Sequence, residues 1–213
     1  MQTDKQEYIQ FLTDNFKGLK VKQPLFYNWD NGLRFNLQVG QTDTDKYFIE
    51  VVKRATTLFK AVFNPTDNVI FILIDFKWKR RKIRISNYCF RQIKDLTKSE
   101  ISYSKVKGLY EPNTWTDIRN VATIKIKADR INISNILTAI SHVDFPPRQP
   151  RLKFLSSEQV FIINVDKRVI FNMYDDRGLD IIASDKETLK PVYKEFNEWI
   201  LDYDREQINR AMK

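Results

Sequence analysis

Val160-Phe161-Ile162-Ile163-Asn164, Val169-Ile170-Phe171-Asn172-Met173-Tyr174 and Leu179-Asp180-Ile181-Ile182-Ala183 decide the fold. Each run is apolar, β-branched or aromatic, and four to six residues long, which predicts strands. Residues 165–168 supply the turn between the first two. Tyr174-Asp175-Asp176-Arg177-Gly178 supplies the second turn, where Gly178 is expected at positive φ and the aspartates cap backbone amides. A helix follows. Ser184 with Glu187 matches a capping box, and Leu189, Tyr193, Phe196, Ile200 and Tyr203 share one helical face. Pro191 lies in the first turns, where it is tolerated.

Outward from this stretch, helices and hairpins alternate loosely. Residues 3–16 predict a helix, with Tyr8, Leu12 and Phe16 at four-residue spacing. Asn31-Gly32 predicts a turn between a run at 25–27 and the alternating strand 33–39. Residues 44–63 predict the strongest helix of the first half, ended by Asn64-Pro65. Residues 69–76 are nearly all apolar, so this strand is expected to be central and covered on both faces. A short helix is expected within 86–96, an edge strand within 98–108 and a strand at 119–127. A helix capped near Asn132 or Ser134 comes next. Pro146, Pro147 and Pro150 mark 145–151 as a linker or rigid crossing loop. The expected class is α+β: a mixed or mainly antiparallel sheet packed on amphipathic helices, with a long C-terminal helix. An N-terminal region of 1–144 with a basic hairpin and a C-terminal β-β-β-α region of 145–213 are expected to pack into one compact domain.

Composition excludes several classes. The chain has 213 residues, of which 42% are hydrophobic and 30% charged, a globular balance with ample core. Cys89 is the one cysteine, so neither an intramolecular disulfide nor a cysteine zinc site is available. The longest apolar run, 69–74, falls far short of the ~20 residues of a membrane helix. Residues 1–7 are polar, unlike a signal peptide, and a cytoplasmic location is expected. The five glycines are not spaced for a phosphate-cradling loop, so no cofactor is expected.

The net charge of +9 points to an anionic partner. The densest feature is Lys77-Trp78-Lys79-Arg80-Arg81-Lys82-Ile83-Arg84. Its cations, with Trp78 as a flat face, fit a docking patch for an acidic protein or a phosphate-tracking patch on nucleic acid. Lysines and arginines that guard a sheet edge would look the same. Trp78, Trp115 and Tyr110 are candidate exposed anchors. Asp175, Asp176 and Asp180 are candidate metal ligands for phosphodiester cleavage, or turn residues with Arg177 as their ion-pair partner. Asp202, Asp204, Arg205 and Glu206 are expected on the solvated side of the last helix. His142 stands alone near a helix end, where the dipole favours its cation. No nucleophile elbow accompanies it.

The segments 174–178 and 199–205, Tyr-Asp-Asp-Arg-Gly and Trp-Ile-Leu-Asp-Tyr-Asp-Arg, resemble the C-terminal signature of an uncharacterised bacterial family. That family is described as Rossmann-like, and the resemblance brings no catalytic residues. It implies a bacterial, intracellular protein. These readings together lead to a non-enzymatic binding protein, most concretely an immunity protein that covers an acidic toxin domain. The alternative is a basic RNA- or DNA-binding module.

Overall fold

A computed structural model describes residues 4–76, 82–152 and 158–213. The first helix, α1 (Asp4–Phe16), leads to strand β1 (Gly32–Asn36), helix α2 (Asp45–Val62) and strand β2 (Asn68–Phe76). A four-residue helix α3 (Tyr88–Arg91) precedes strands β3 (Ile101–Lys107) and β4 (Ile118–Lys127), then helix α4 (Ile133–Ser141). The last part carries β5 (Gln159–Asn164), β6 (Val169–Met173), β7 (Gly178–Ala183), α5 (Lys186–Glu195) and α6 (Arg205–Met212).

All seven strands form one sheet, ordered β1-β7-β6-β5-β2-β4-β3. Every pairing is antiparallel, so the α+β expectation holds. The Rossmann-like description fits poorly, because that fold needs parallel strands joined by crossover helices. The sheet runs through both halves of the chain, since β2 pairs with β5 and β1 with β7. As its composition demands, β2 is central: seven consecutive residues, Val69–Asp75, are buried, between β4 and β5.

Strand alternation splits the core into two layers. On one face Leu33, Phe71, Ile162 and Ile181 meet α2 through Val51, Ala55, Leu58 and Val62, together with α4, α5 and α6. There Phe59 stacks on Phe63 at 4.2 Å, and both meet the edge of Phe171. On the other face Ile70, Ile72, Phe161 and Ile182 meet Leu12 and Phe16 of α1, with Val21 and Leu25 from the chain that follows. Thr44 caps α2 by accepting from the Tyr47 amide at 3.2 Å, and Asn132 caps α4 through the Asn135 amide. The edge strand β3 leaves Lys105 and Lys107 exposed, which discourages further pairing. The free edge of β1 is covered instead, by a bridge from Phe35 to Ile200 and a bond from the Leu201 amide to the Arg34 carbonyl.

Four local expectations are corrected. Residues 25–27 do not make a hairpin with β1. Phe26–Asn28 is a 3-10 turn, and β1 pairs with β7. Asn31-Gly32 instead serves the end of β7: Ala183 donates to the Asn31 carbonyl, and the Asn31 amide reaches the Ser184 carbonyl at 3.1 Å. A Cβ at Gly32 would meet the Phe26 ring at 2.9 Å, so close packing is what requires this glycine. Gly178 likewise has no positive φ; Gly18, Gly40 and Gly108 do. A Cβ on Gly178 would lie 2.6 Å from the Phe35 carbonyl and collide with the Tyr174 hydroxyl. Gly178→Ala is therefore expected to destabilise the fold by about 1–3 kcal/mol, as over-packing does. A chemical-denaturation midpoint equal to that of wild type would contradict this.

The third correction concerns the C-terminal helix. Helix α5 ends at Glu195, 3-10 turns occupy Asn197–Trp199 and Asp202–Asp204, and α6 resumes at Arg205. Arg205 holds the break open by donating to the carbonyls of Asn197 and Ile200. The Tyr193 hydroxyl ties α5 to Asn209 of α6 at 2.8 Å. Tyr203 consequently lies 87% exposed rather than on the apolar face, and Asp204 is buried rather than solvated. Finally, Asp185 rather than Ser184 caps α5, accepting from the Glu187 amide.

Candidate functional site

Of the basic run, Lys77, Trp78, Lys79, Arg80 and Arg81 lie outside the described residues. Of the described remainder, Ile83 is buried, while Lys82 and Arg84 are exposed. Lys82 places its ammonium 5.3 Å from the Tyr103 ring centre. The chain then turns, and Asn87 starts α3 by accepting from the Cys89 amide at 2.9 Å. Cys89, Phe90 and Ile93 sink into the helical face of the core. Tyr88 and Arg91 are left on the outer side, the guanidinium 5.8 Å from the ring centre.

A second segment returns to the same place. After α4 the loop is fastened by Leu152, whose side chain is buried and whose amide bonds the Ala139 carbonyl at 3.0 Å. It carries a cis Gln149–Pro150 bond, and His142 Nδ1 lies 2.9 Å from the Pro150 carbonyl oxygen. The Asn87 amide then reaches across to Glu158 at 2.8 Å and joins the two segments. Between them lies a cavity of about 660 Å³, walled by Arg84, Asn87, Tyr88, Arg91, Arg151 and Glu158 among others. Three arginines and one glutamate line it, so the cavity carries an excess of positive charge. Its volume falls within the range of ligand sites. Arginine forks present paired donors to carboxylate or phosphate, and the Tyr88 ring adds a flat apolar wall.

Arg84 was visible in the basic run, but Arg91 and Arg151 were missed. Arg91 is isolated in its local sequence. Arg151 sits among prolines, and the local density of basic residues around Arg148 and Arg151 was the one available signal. Of the aromatic anchors, Trp115 is 77% exposed as expected. Tyr110 is instead engaged, donating to Gln159 at 2.8 Å and accepting from the Gln23 amide.

The aspartates around the second turn separate. Asp175 takes both the amide and the guanidinium of Arg177, the expected turn-holding pair. Tyr47 donates its hydroxyl to Asp176, whose carboxyl is pushed up by burial. Asp144 rather than Asp180 completes this group, the three offering carboxylate oxygens within 4.8 Å of one another. Arg177 also reaches Asp144 at 3.8 Å, so a cation already sits among these acids.

Asp180 belongs to a different centre. It is fully buried, accepts from the Phe26 amide at 3.0 Å and pairs with Arg34 at 3.4 Å across the β1–β7 ladder. Arg34 also lies 3.7 Å from Asp204 and within 5.1 Å of the ring centres of Tyr27 and Tyr174. Tyr27 closes the ring of contacts by donating to Asp204 at 2.9 Å. Burial pushes the Asp180 carboxyl up to about 6. These contacts tie β1, β7 and the C-terminal segment together, which is a structural task.

Cys89 is completely buried and its thiol is pushed far up by desolvation. His142 meets the edge of Phe48, and burial lowers its pKa, which reverses the expectation that the helix end favours the cation.

Residues 8–204 match a family described as a domain of unknown function, DUF3885. The uncharacterized protein YnaE of Bacillus subtilis (strain 168) is 24% identical over 213 residues, covering 92% of this chain and 97% of that protein. No solved structure matches. Among the described residues no helix is long and apolar enough to cross a membrane.

Proposed function

The chain belongs to the DUF3885 family, and on that premise we propose that it is a non-enzymatic, cytoplasmic bacterial protein that binds an acidic protein partner. The specific form is an immunity protein that covers a toxin domain. The observation that carries this reading is the arginine-lined cavity between residues 84–91 on one side and Gln149–Arg151 with Glu158 on the other, contiguous in sequence with the basic run 77–84. Binding of this kind needs charge complementarity and a few aromatic anchors, not an acid, base and nucleophile in register. Arg84, Arg91 and Arg151 would take carboxylates of the partner, while Tyr88 and Trp115 offer apolar contact.

The test is purification of the chain together with the product of the adjacent reading frame. A stoichiometric complex that forms at low salt and weakens at high salt is expected. No complex at low salt removes the reading. A second reading takes the basic run 77–84, with Trp78 as a stacking face, as a nucleic-acid surface. In that case affinity for RNA or DNA falls linearly in log salt, and Arg80→Ala, Arg81→Ala and Lys82→Ala together abolish it. A gel shift untouched by the triple change rejects that surface.

A further inference from the structure

A second cavity lies on the opposite side of the sheet from α2, between α1 and the β3–β4 pair. Its volume is about 200 Å³. Drug-sized ligands and cofactors occupy about 300–1,000 Å³, so this space suits one narrow group. Leu12, Val21, Ile74, Leu109 and Val121 form apolar walls and are all buried. Ile9, on the outer part of α1, is 49% exposed although apolar. A glycine helps to make the space: Lys17 and Gly18 both take left-handed backbone, and the Gly18 amide turns back to the Leu12 carbonyl at 3.0 Å. The chain can then leave α1 without a side chain at Gly18 filling the gap.

The polar groups at this cavity are selective. The charged residues lining it are Lys20 and Lys105, both exposed, and no carboxylate lines it among the described residues. Tyr8 also lines it, and desolvation alone pushes its phenol well above the usual range, with no described residue bonded to its hydroxyl. An apolar pocket lined also by the hydroxyl-bearing Tyr8, Thr13 and Ser104, with two exposed lysines beside it, fits a narrow apolar tail that ends in an anion.

We propose that the cavity between α1 and the β3–β4 pair binds a free medium-chain fatty acid, with its alkyl chain against Leu12, Leu109 and Val121 and its carboxylate at Lys20 and Lys105. Each methylene buried there contributes through removal from water, and the lysines select the anion over the neutral alcohol. This site is separate from the arginine-lined cavity and does not depend on the partner reading.

Calorimetric titration of the whole chain with decanoate, decanol and butyrate, below micelle formation, tests the proposal. Decanoate is expected to bind at one saturable site, and butyrate not to saturate. Val121→Phe fills the cavity and is expected to abolish decanoate binding. Lys20→Glu with Lys105→Glu is expected to weaken decanoate about tenfold while leaving decanol unchanged, a difference of ~1.4 kcal/mol. If Val121→Phe fails to fold, a spin-labelled decanoate on the wild-type chain decides, by selective broadening of the Leu109 and Val121 methyl signals. Absence of saturable binding, decanoate binding that survives in folded Val121→Phe, or broadening elsewhere overturns the proposal. So does binding to anionic vesicles without binding to the free acid.

Discussion

Replacing Arg34 with alanine is expected to cost the fold about 3–5 kcal/mol well above pH 6, where Asp180 is ionised, the range for removing one member of a buried ion pair. Two carboxylates depend on it. Asp180 is fully buried and would keep only backbone donors, and Asp204 would keep Tyr27. Two ring contacts, with Tyr27 and Tyr174, would be lost in addition. Arg34→Lys restores a charge but not the planar fork, so an intermediate loss is expected. Urea unfolding followed by circular dichroism measures it. A loss below about 1 kcal/mol, the scale of an exposed pair, would show that this centre does not hold β1 and β7 to the C-terminal segment.

The second large effect is a pH dependence at Asp180. Its carboxyl is raised from 3.8 to about 6 in the folded chain, so the native state binds the proton more tightly than the unfolded state. Stability attributable to this group therefore rises as pH falls from above 6 toward 4, by up to ~3 kcal/mol at 1.36 kcal/mol per unit. His142 acts in the opposite sense. Its lowered pKa means that the unfolded chain takes up the proton first, so stability is lost as pH falls through 6.5. Below about 4 a further loss sets in as Glu100, held at about 2 mainly by Arg130, and Asp117, held low by the Glu111 and Tyr110 amides and by Arg119, become protonated. The comparison of wild type with Asp180→Asn isolates the first effect. The asparagine can still accept from Phe26 but does not titrate. Between pH 7 and pH 4 wild type is expected to gain on Asp180→Asn by up to ~3 kcal/mol. A constant difference across that range would mean that Asp180 titrates normally.

The parts of the fold that were legible in the sequence were those with a strong local period. Helix α2 and the central strand β2 carry runs long enough for burial on one face or both to be read directly. The β5–β6 hairpin was equally plain, because Asn164 and Val169 are joined by a short polar turn. The break between α5 and α6 was not, because Phe196, Ile200 and Tyr203 keep helical spacing across it. The break depends on Ile200 and Leu201 bonding to β1, a contact with residues some 165 positions away in the chain. Gly178 was recognised as special for the wrong reason. A turn demanding positive φ and a backbone approached by Phe35 look alike until the partner strand is known.

The candidate site was half legible for the same cause. Local charge density marks residues 77–84, but Arg91 and Arg151 join it only through the fastening of Leu152 to α4 and of Asn87 to Glu158. The aspartates of the second turn show the converse. Adjacent in sequence, Asp175 and Asp176 reach Arg177 and Tyr47, and Asp180 points to the other face of the sheet because strand residues alternate.

The central claim is that the arginine-lined cavity seats acidic groups of a protein partner. Its most direct test is the affinity of the adjacent-frame product for wild type and for the variant Arg84→Glu, Arg91→Glu and Arg151→Glu, measured at matched low salt by calorimetry. A loss of at least about 100-fold, ~2.7 kcal/mol, is expected while the unfolding midpoint of the variant stays near that of wild type. Equal affinity for a folded variant would contradict the account.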